Sequence, residues 1–414
     1  MTAVKIVRYH IRGFVQGVHL KRFEAVFVVV GALLAGANLC LTRLGRAIAG
    51  PVADKHSIKR VDRLLGNMKL HWELPLFYRA VAKLLLTQVE EPVILVDWTE
   101  MGPDWQVLTA AVALSGRSLP IYSEVHRAGS DKKPGVQARF LLRLKKHIIP
   151  SGCRPIIATD SGFQNPWFKK VREIGWHFVG RLSSTPHARP IAAPGEERKS
   201  STWQPVTALM PGAGPKPQDL HLWTVAKGNP LECRLILYKG KKKGRKGPKR
   251  PNRKGVHPGS GAHQKAVARA RTPWLLATSL QECTSNQVVN VYSTRMQIEE
   301  TFRDSKSHRF GWSLEDVRSE KESRLEVLLL IASLGMVAVH IAGMAADNQA
   351  LTRLMQANTI RHRRVLSLFS VGNSAVRTPR WRQFLTRRML TRALADLHTL
   401  IRANAPARGG AGAI

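Results

Sequence analysis

The stretch PVILVDW, residues 92 to 98, constrains this chain most, because an apolar run without alternation reads as a strand buried on both faces. The same texture continues downstream of it. QVLTAAVAL and RSLPIYSEV read as two further strands joined at Ser-Gly, VQARFLLRLKKHII as an amphipathic helix, and RPIIATD as a second buried strand. NPWFKKVREIG then reads as a helix and WHFVGRL as a strand. Three hairpin strands followed by helix, strand, helix and strand predict an α/β class with a mixed sheet. Asp97 lies near the end of the first strand and Asp160 at the end of the fourth. Strand ends that border a crevice are where sites are built in open α/β sheets.

Upstream, residues 19 to about 85 carry helical patterns broken by Gly and Pro, with Lys59, Arg60 and Arg63 clustered in HSIKRVDRLLGN. That combination suits a helical DNA-binding module, and equally a helical cap with a solvated basic face. Downstream, residues 185 to 285 are irregular and rich in Pro, Gly and Ser, with short strand candidates HLWTVAK, CRLILYKG and PWLLATSL. Within them, residues 239 to 255 hold ten Lys or Arg and no acid, a composition that predicts a loop with affinity for phosphates or merely for water. A basic helical tail begins at about residue 350. The division expected is 1–85 helical, 86–184 and 286–365 a split α/β core, 185–285 a β-rich insertion, and 366–414 the tail.

The charge balance narrows the partners. Sixty-five Lys and Arg against 28 Asp and Glu give a formal charge of +37, which calls for a polyanion: nucleic acid first, an anionic membrane second. Residues 25 to 37 are apolar but short for a membrane span, and residues 327 to 346 are long enough, interrupted only by His340. A large protein also buries such a helix in its core, and a core helix is the expectation, with no membrane and no targeting segment. Cys40, Cys153, Cys233 and Cys283 are scattered without a C-x-x-C pair, which predicts buried thiols in a reducing, cytoplasmic setting.

VNVYSTRMQIEETFRDSKSH, residues 289 to 308, places Tyr292, Arg295, Glu299 and Lys306 within about 60° of one another on a helix, with Arg303 joining them and Glu300 turned away. A solvated face of ion pairs has the same pattern. Two strand-end aspartates and a helix-borne glutamate on a strongly basic chain, however, make a hard oxygen set suited to Mg²⁺ or Mn²⁺. Two such ions activate the attacking oxygen and stabilise the leaving one in phosphodiester chemistry, with Arg295 and Lys306 placed to hold flanking phosphates.

With these residues in view, the sequence resembles the bacterial DDE transposases of RNase H-like fold, in the group with the Y-(2)-R-(3)-E-(6)-K signature known as the insertion-sequence four family. Tyr292, Arg295, Glu299 and Lys306 carry that signature. ILVDWTEM, HSIKRVDRLLGN and IIATDSGF resemble the branch whose elements flank a tetracycline-resistance transposon. The likeness covers roughly residues 19 to 365.

The resemblance implies a metal-binding triad of Asp97, Asp160 and Glu299 and cut-and-paste excision through a DNA hairpin. It also implies a synaptic complex of protein with two transposon ends and target DNA, near the nucleoid. Related transposases receive a flipped base on a tryptophan, and Trp274 in RTPWLLATSL is the matching position. A strand tryptophan that anchors the insertion to the core would look the same. The alternative function is a catalytically silent DNA-binding relic or repressor.

Overall fold

The computed structural model describes residues 2–191, 202–240, 272–309, 311–317, 319–357, 360 and 362–406. Most of the basic run at 239–255 therefore lies outside the described residues. The fold is mixed α/β, with parallel and antiparallel strand pairs and many helices. It divides into two compact units, Met1–Ala158 with Thr294–Ala405, and Thr159–Ser293 with Pro406–Ile414.

In the first unit five helices precede the strands: α1 (Ala3–Arg12), α2 (Leu20–Leu34), α3 (Leu41–Arg46), α4 (Asp54–Leu65) and α5 (Met68–Leu86). α1 lies inside the helical region expected over 1–85, ahead of the patterns read from residue 19. It is a short amphipathic helix capped by Thr2, with Ile6, Val7 and Ile11 buried. Gly45 of α3 faces α4 so closely that a Cβ there would lie 2.6 Å from Ile58 Cα, so only glycine permits this approach. Strands β1 (Val93–Met101), β2 (Trp105–Ala113) and β3 (Ser118–Arg127) form the expected antiparallel set. The bulge at Ala110/Ala111 interrupts the β2–β3 register. Helix α6 (Pro134–Arg143) ends in a π-helical turn, Leu144–Ile148, and leads to β4 (Ile156–Thr159), which pairs in parallel with β1 through Val93↔Ile156 and Leu95↔Ala158.

The second unit holds α7 (Asn165–Glu173), β5 (His177–Arg181), β6 (His187–Pro190), β7 (Gln204–Pro205), β8 (Gln218–Val225), β9 (Leu231–Tyr238), β10 (Trp274–Thr278) and α8 (Ser285–Ser293). Its strands run β5-β10-β9-β8-β6-β7, with β10 antiparallel to both β5 and β9. Gly180 in β5 leaves the room that the Phe168 ring of α7 fills.

The chain re-enters the first unit with α9 (Met296–Lys306), α10 (Glu322–Asn348), α11 (Leu351–Met355), α12 (Leu368–Arg377), α13 (Pro379–Arg382) and α14 (Arg387–Asn404). α10 is the one described helix apolar and long enough to cross a membrane, yet its apolar stretch is almost wholly buried inside the protein. It packs against β3 and helices α1, α2, α5, α12 and α14. Gly343 of α10 meets the Leu368 carbonyl and Gly372 of α12 meets the Val339 carbonyl, so both glycines let the two backbones touch. The tail belongs to this unit: Leu390, Leu394, Leu397 and Ile401 of α14 are buried, and Asn404 Nδ2 donates to the Leu114 carbonyl at 2.7 Å. The four cysteines form no disulfide, but only Cys233 and Cys283 are fully buried, whereas Cys40 and Cys153 sit at partly exposed positions flanking helices and loops.

Candidate active site

β1 is buried for its first four residues and opens to solvent from Asp97 onward. The apolar run VILV fills the interior, so the acid emerges where burial ends. Asp97 pairs with Thr109 of β2, and its Oδ1 accepts the Trp98 backbone N–H at 2.8 Å. Oδ2 is left to face α9.

α9 is held by a polar row that the sequence reading missed. Gln297, Thr301 and Asp304, spaced four and three apart, share one helix face. Gln297 Oε1 accepts the Leu114 N–H at 2.7 Å, and Thr301 Oγ1 accepts the Ser118 N–H at 2.9 Å. Arg117 donates through Nε to Asp304 Oδ2 at 2.5 Å. Burial pushes the Asp304 carboxyl above its ordinary value, against the pull of Arg117. All three thus bind the turn between β2 and β3, and the opposite face of α9 is fixed by default.

That opposite face, about 180° around the axis, carries Arg295, Glu299 and Lys306. Arg295 Nη1 lies 3.4 Å from Asp97 Oδ2, and its Nη2 donates to Glu299 Oε1 at 2.5 Å. One guanidinium therefore joins a strand-end aspartate to a glutamate in the first turn of α9, where the helix dipole favours negative charge. Lys306 donates to the Glu100 carbonyl near the end of β1. The side chains of Arg295 and Asp97 are only 12% and 14% exposed, while Glu299 is 43% exposed and open to a ligand.

The remaining sequence candidates are distributed differently. Tyr292 does not share the Arg295–Lys306 helix: α8 ends at Ser293 and α9 begins at Met296. No Gly or Pro marks the break, so helical periodicity ran through it unseen. Tyr292 is buried, 4% exposed, and its ring sits edge-on to Trp274 with centroids 4.8 Å apart. Trp274, half-buried in β10, also meets Tyr238 at 5.6 Å. Arg303 pairs with Glu300, which Arg117 also approaches at 3.3 Å, so both of these residues turn from Glu299 toward each other.

Asp160 belongs to the second unit, one residue past β4, and its Oδ1 accepts the Gly162 N–H at 2.8 Å in an Asx turn. Lys59, Arg60 and Arg63 line the exposed face of α4, whose other side buries Val61, Leu64 and Leu65.

Asp97 and Glu299 present hard carboxylate oxygens converging on a single cation, a donor chemistry that fits a divalent metal. Among the described residues no group of three or more His, Cys, Asp or Glu is gathered as a metal site.

The family model for the transposase DDE domain matches residues 89–336, more than half of the chain. The chain belongs to the transposase DDE family. Within the matched part of this DDE protein lie β1 with Asp97, Asp160, Trp274, and α9 with Arg295, Glu299 and Lys306, while α4 and its basic face lie outside it. No curated protein matches. A solved structure described as a piggyBac transposase synaptic complex with hairpin DNA is similar at 12% identity and a TM-score of 0.38, covering 99% of this chain and 83% of that one. A likeness that distant carries no argument about this DDE protein.

Proposed function

We propose that this protein is an active DNA transposase that excises and reinserts a DNA segment by phosphodiester hydrolysis and strand transfer. The observation that carries the reading is the Arg295 bridge between Asp97 and Glu299, inside the residues that match the DDE domain. Asp97, Asp160 and Glu299 are the proposed triad on an RNase H-like core of the Y-R-E-K type, and would hold two Mg²⁺ or Mn²⁺ ions. DDE transposases generally use divalent ions. When bound, such ions supply activation of the attacking oxygen and stabilise the leaving one.

The chain's own groups orient the DNA. Arg295, tied to both acids, sets the positive charge that a phosphate at the site would meet, and Lys306, over the end of β1, is placed to hold the next one. Tyr292 is buried against Trp274, so its part is to prop that indole, which receives a flipped base during hairpin formation. The basic face of α4 contacts transposon-end DNA, in a protein organised as an N-terminal helical module, a split core, a β-rich insertion and a tail. The partners are two transposon ends and a target duplex in a self-associated synaptic complex, close to the nucleoid.

The test is nicking of an oligonucleotide carrying the element's own terminal repeat, with and without Mg²⁺ or Mn²⁺. Asp97→Asn, Asp160→Asn and Glu299→Gln should each abolish metal-dependent cleavage and leave binding to that DNA largely intact, while Glu300→Gln cleaves. A residue whose variant cleaves at the wild-type rate is not part of the triad.

A further inference from the structure

Residues 132 to 159 contain seven Lys or Arg and not one Asp or Glu. They build α6 and its π-helical turn, whose inner side is wholly committed: Val136, Phe140, Leu141, Leu144 and Ile148 are buried in the first unit. The outer side is cationic. Arg139, Arg143 and Lys146, spaced four and three apart, form a line along the exposed surface about 10 Å long at 1.5 Å per residue. Arg79 of α5 stands beside it: together with Lys146 and Arg143, and after burial, it holds His147 below the ordinary histidine range. Arg143 alone is balanced, by Glu124 at 3.2 Å. Arg79, Arg139 and Lys146 enter no ion pair among the described residues, nor do Lys132 and Lys133 ahead of the helix.

A row of uncompensated cations repels itself and is relieved by a polyanion with charges at comparable spacing. Duplex DNA rises 3.4 Å per base pair, so the line spans roughly three base pairs of backbone. The helix ends in a π-turn, a feature frequent at functional sites. A lipid surface suits the face poorly, because its apolar residues point inward and only Leu142, 46% exposed, faces out.

We propose that the outer face of α6 and its π-turn is a second DNA-binding surface that grips the backbone of a duplex irrespective of sequence. The inference deepens the transposase reading, which supplies DNA as the substrate, by assigning the protein a hold on duplex besides the α9–β1 site.

The test uses the full chain and a random-sequence 30-base-pair duplex, titrated by fluorescence anisotropy across a KCl series. Arg139→Glu with Lys146→Glu should weaken binding at least tenfold at 0.1 M salt and lower the log-log salt slope by about 2, since each phosphate contact contributes about 0.9. Arg388→Glu with Arg392→Glu, the same charge change on the exposed face of α14, should weaken it less than threefold and leave the slope unchanged. Equal losses from both pairs would reduce the effect to net charge and overturn the proposal, as would no loss from the α6 pair. Arg139→Gln with Lys146→Gln, a milder change, decides the matter if the reversal variant fails to fold by circular dichroism. Sedimentation with phosphatidylglycerol vesicles is run in parallel, and a loss confined to vesicles shows the face belongs to a membrane. Duplex binding is read without catalysis. A chain that binds through this face but never nicks end DNA therefore sinks the transposase reading and leaves the face standing; a chain that nicks but ignores the α6 substitutions does the reverse.

Discussion

Arg295 and Glu299 face each other across one turn of α9, Nη2 to Oε1 at 2.5 Å, and the other arm of the same guanidinium reaches Asp97 on β1 at 3.4 Å. The geometry makes the arginine a spacer between two acids that would otherwise repel. Arg295→Ala should lower cleavage of end DNA at least tenfold and cost about 1–3 kcal/mol in urea unfolding, because both Arg295 and Asp97 are largely shielded from water. Arg303→Ala is the comparison. Its pair with Glu300 is exposed, so the loss should stay within about 0.5 kcal/mol.

The buried row on the far side of α9 makes a separate forecast. Thr301 is 1% exposed, and its hydroxyl accepts from the Ser118 N–H and donates to a backbone carbonyl. Thr301→Val keeps the shape and orphans the Ser118 amide, which should cost about 1–3 kcal/mol by chemical denaturation. Thr301→Ser retains the hydroxyl and should lose less than half as much. Equal losses would mean that the methyl group, not the hydrogen bond, holds α9.

These two rows show how far the chain could be read in advance. VILVDW announced its strand and the acid at its exit because both faces of β1 are buried, and Arg295, Glu299 and Lys306 shared a face because each lies on or at the start of a single helix. Tyr292 was misplaced because the α8–α9 break at Thr294 and Arg295 carries no Gly or Pro to flag it. Gln297, Thr301 and Asp304 drew no notice in the sequence, since their partners at Leu114, Ser118 and Arg117 lie more than 180 residues away along the chain. The apolar run at 327 to 346 was long enough to span a membrane, and its burial among β3, α1, α2, α5, α12 and α14 bears out the core helix expected of it.

Trp274 rests between Tyr238 and Tyr292, which is compatible with a prop as well as with a flipped-base platform. Followed on a pre-nicked transposon end, Trp274→Ala should fold, make the first nick normally, and form or open hairpins at least tenfold more slowly, in keeping with a stacking loss of about 1–3 kcal/mol. Normal hairpin kinetics, or an unfolded variant, would assign the indole to packing alone.

Glu326 of α10 titrates near neutrality. Burial, and then Glu322 and Glu124, push its carboxyl up to about 7, so the folded protein holds a proton that the unfolded chain releases near 4.5. A raised folded value adds stability that is complete below pH 4.5 and is lost as pH rises toward and through 7. Glu326→Gln should therefore be nearly neutral at pH 5 and more stable than the parent at pH 8, by on the order of 2 kcal/mol. Thermal unfolding at the two pH values checks this. A constant difference would show that Glu326 has no share in the pH dependence.

The run at 239 to 255 can be tested by deletion. Ten cations in that segment should each add to the salt dependence of DNA binding where they meet a phosphate, at about 0.9 per contact in the log-log slope. Deleting residues 239 to 255 should flatten the slope by 2 or more while metal-dependent nicking persists at low salt. An unchanged slope would make the segment a bystander.

β3, α1, α2 and α5 cover part of α10, and α12 and α14, which arrive after it in the chain, complete the cover. During synthesis this 27-residue, largely apolar helix leaves the ribosome before the two helices that complete its cover exist. A copy of the gene with a premature stop beyond residue 348 would leave that cover incomplete. Its product would offer chaperones and the membrane-insertion apparatus a segment that, by hydropathy, they treat as a client. Decay of the reading frame from its end would therefore weaken the burial of α10 before it removed any residue of the proposed acidic triad.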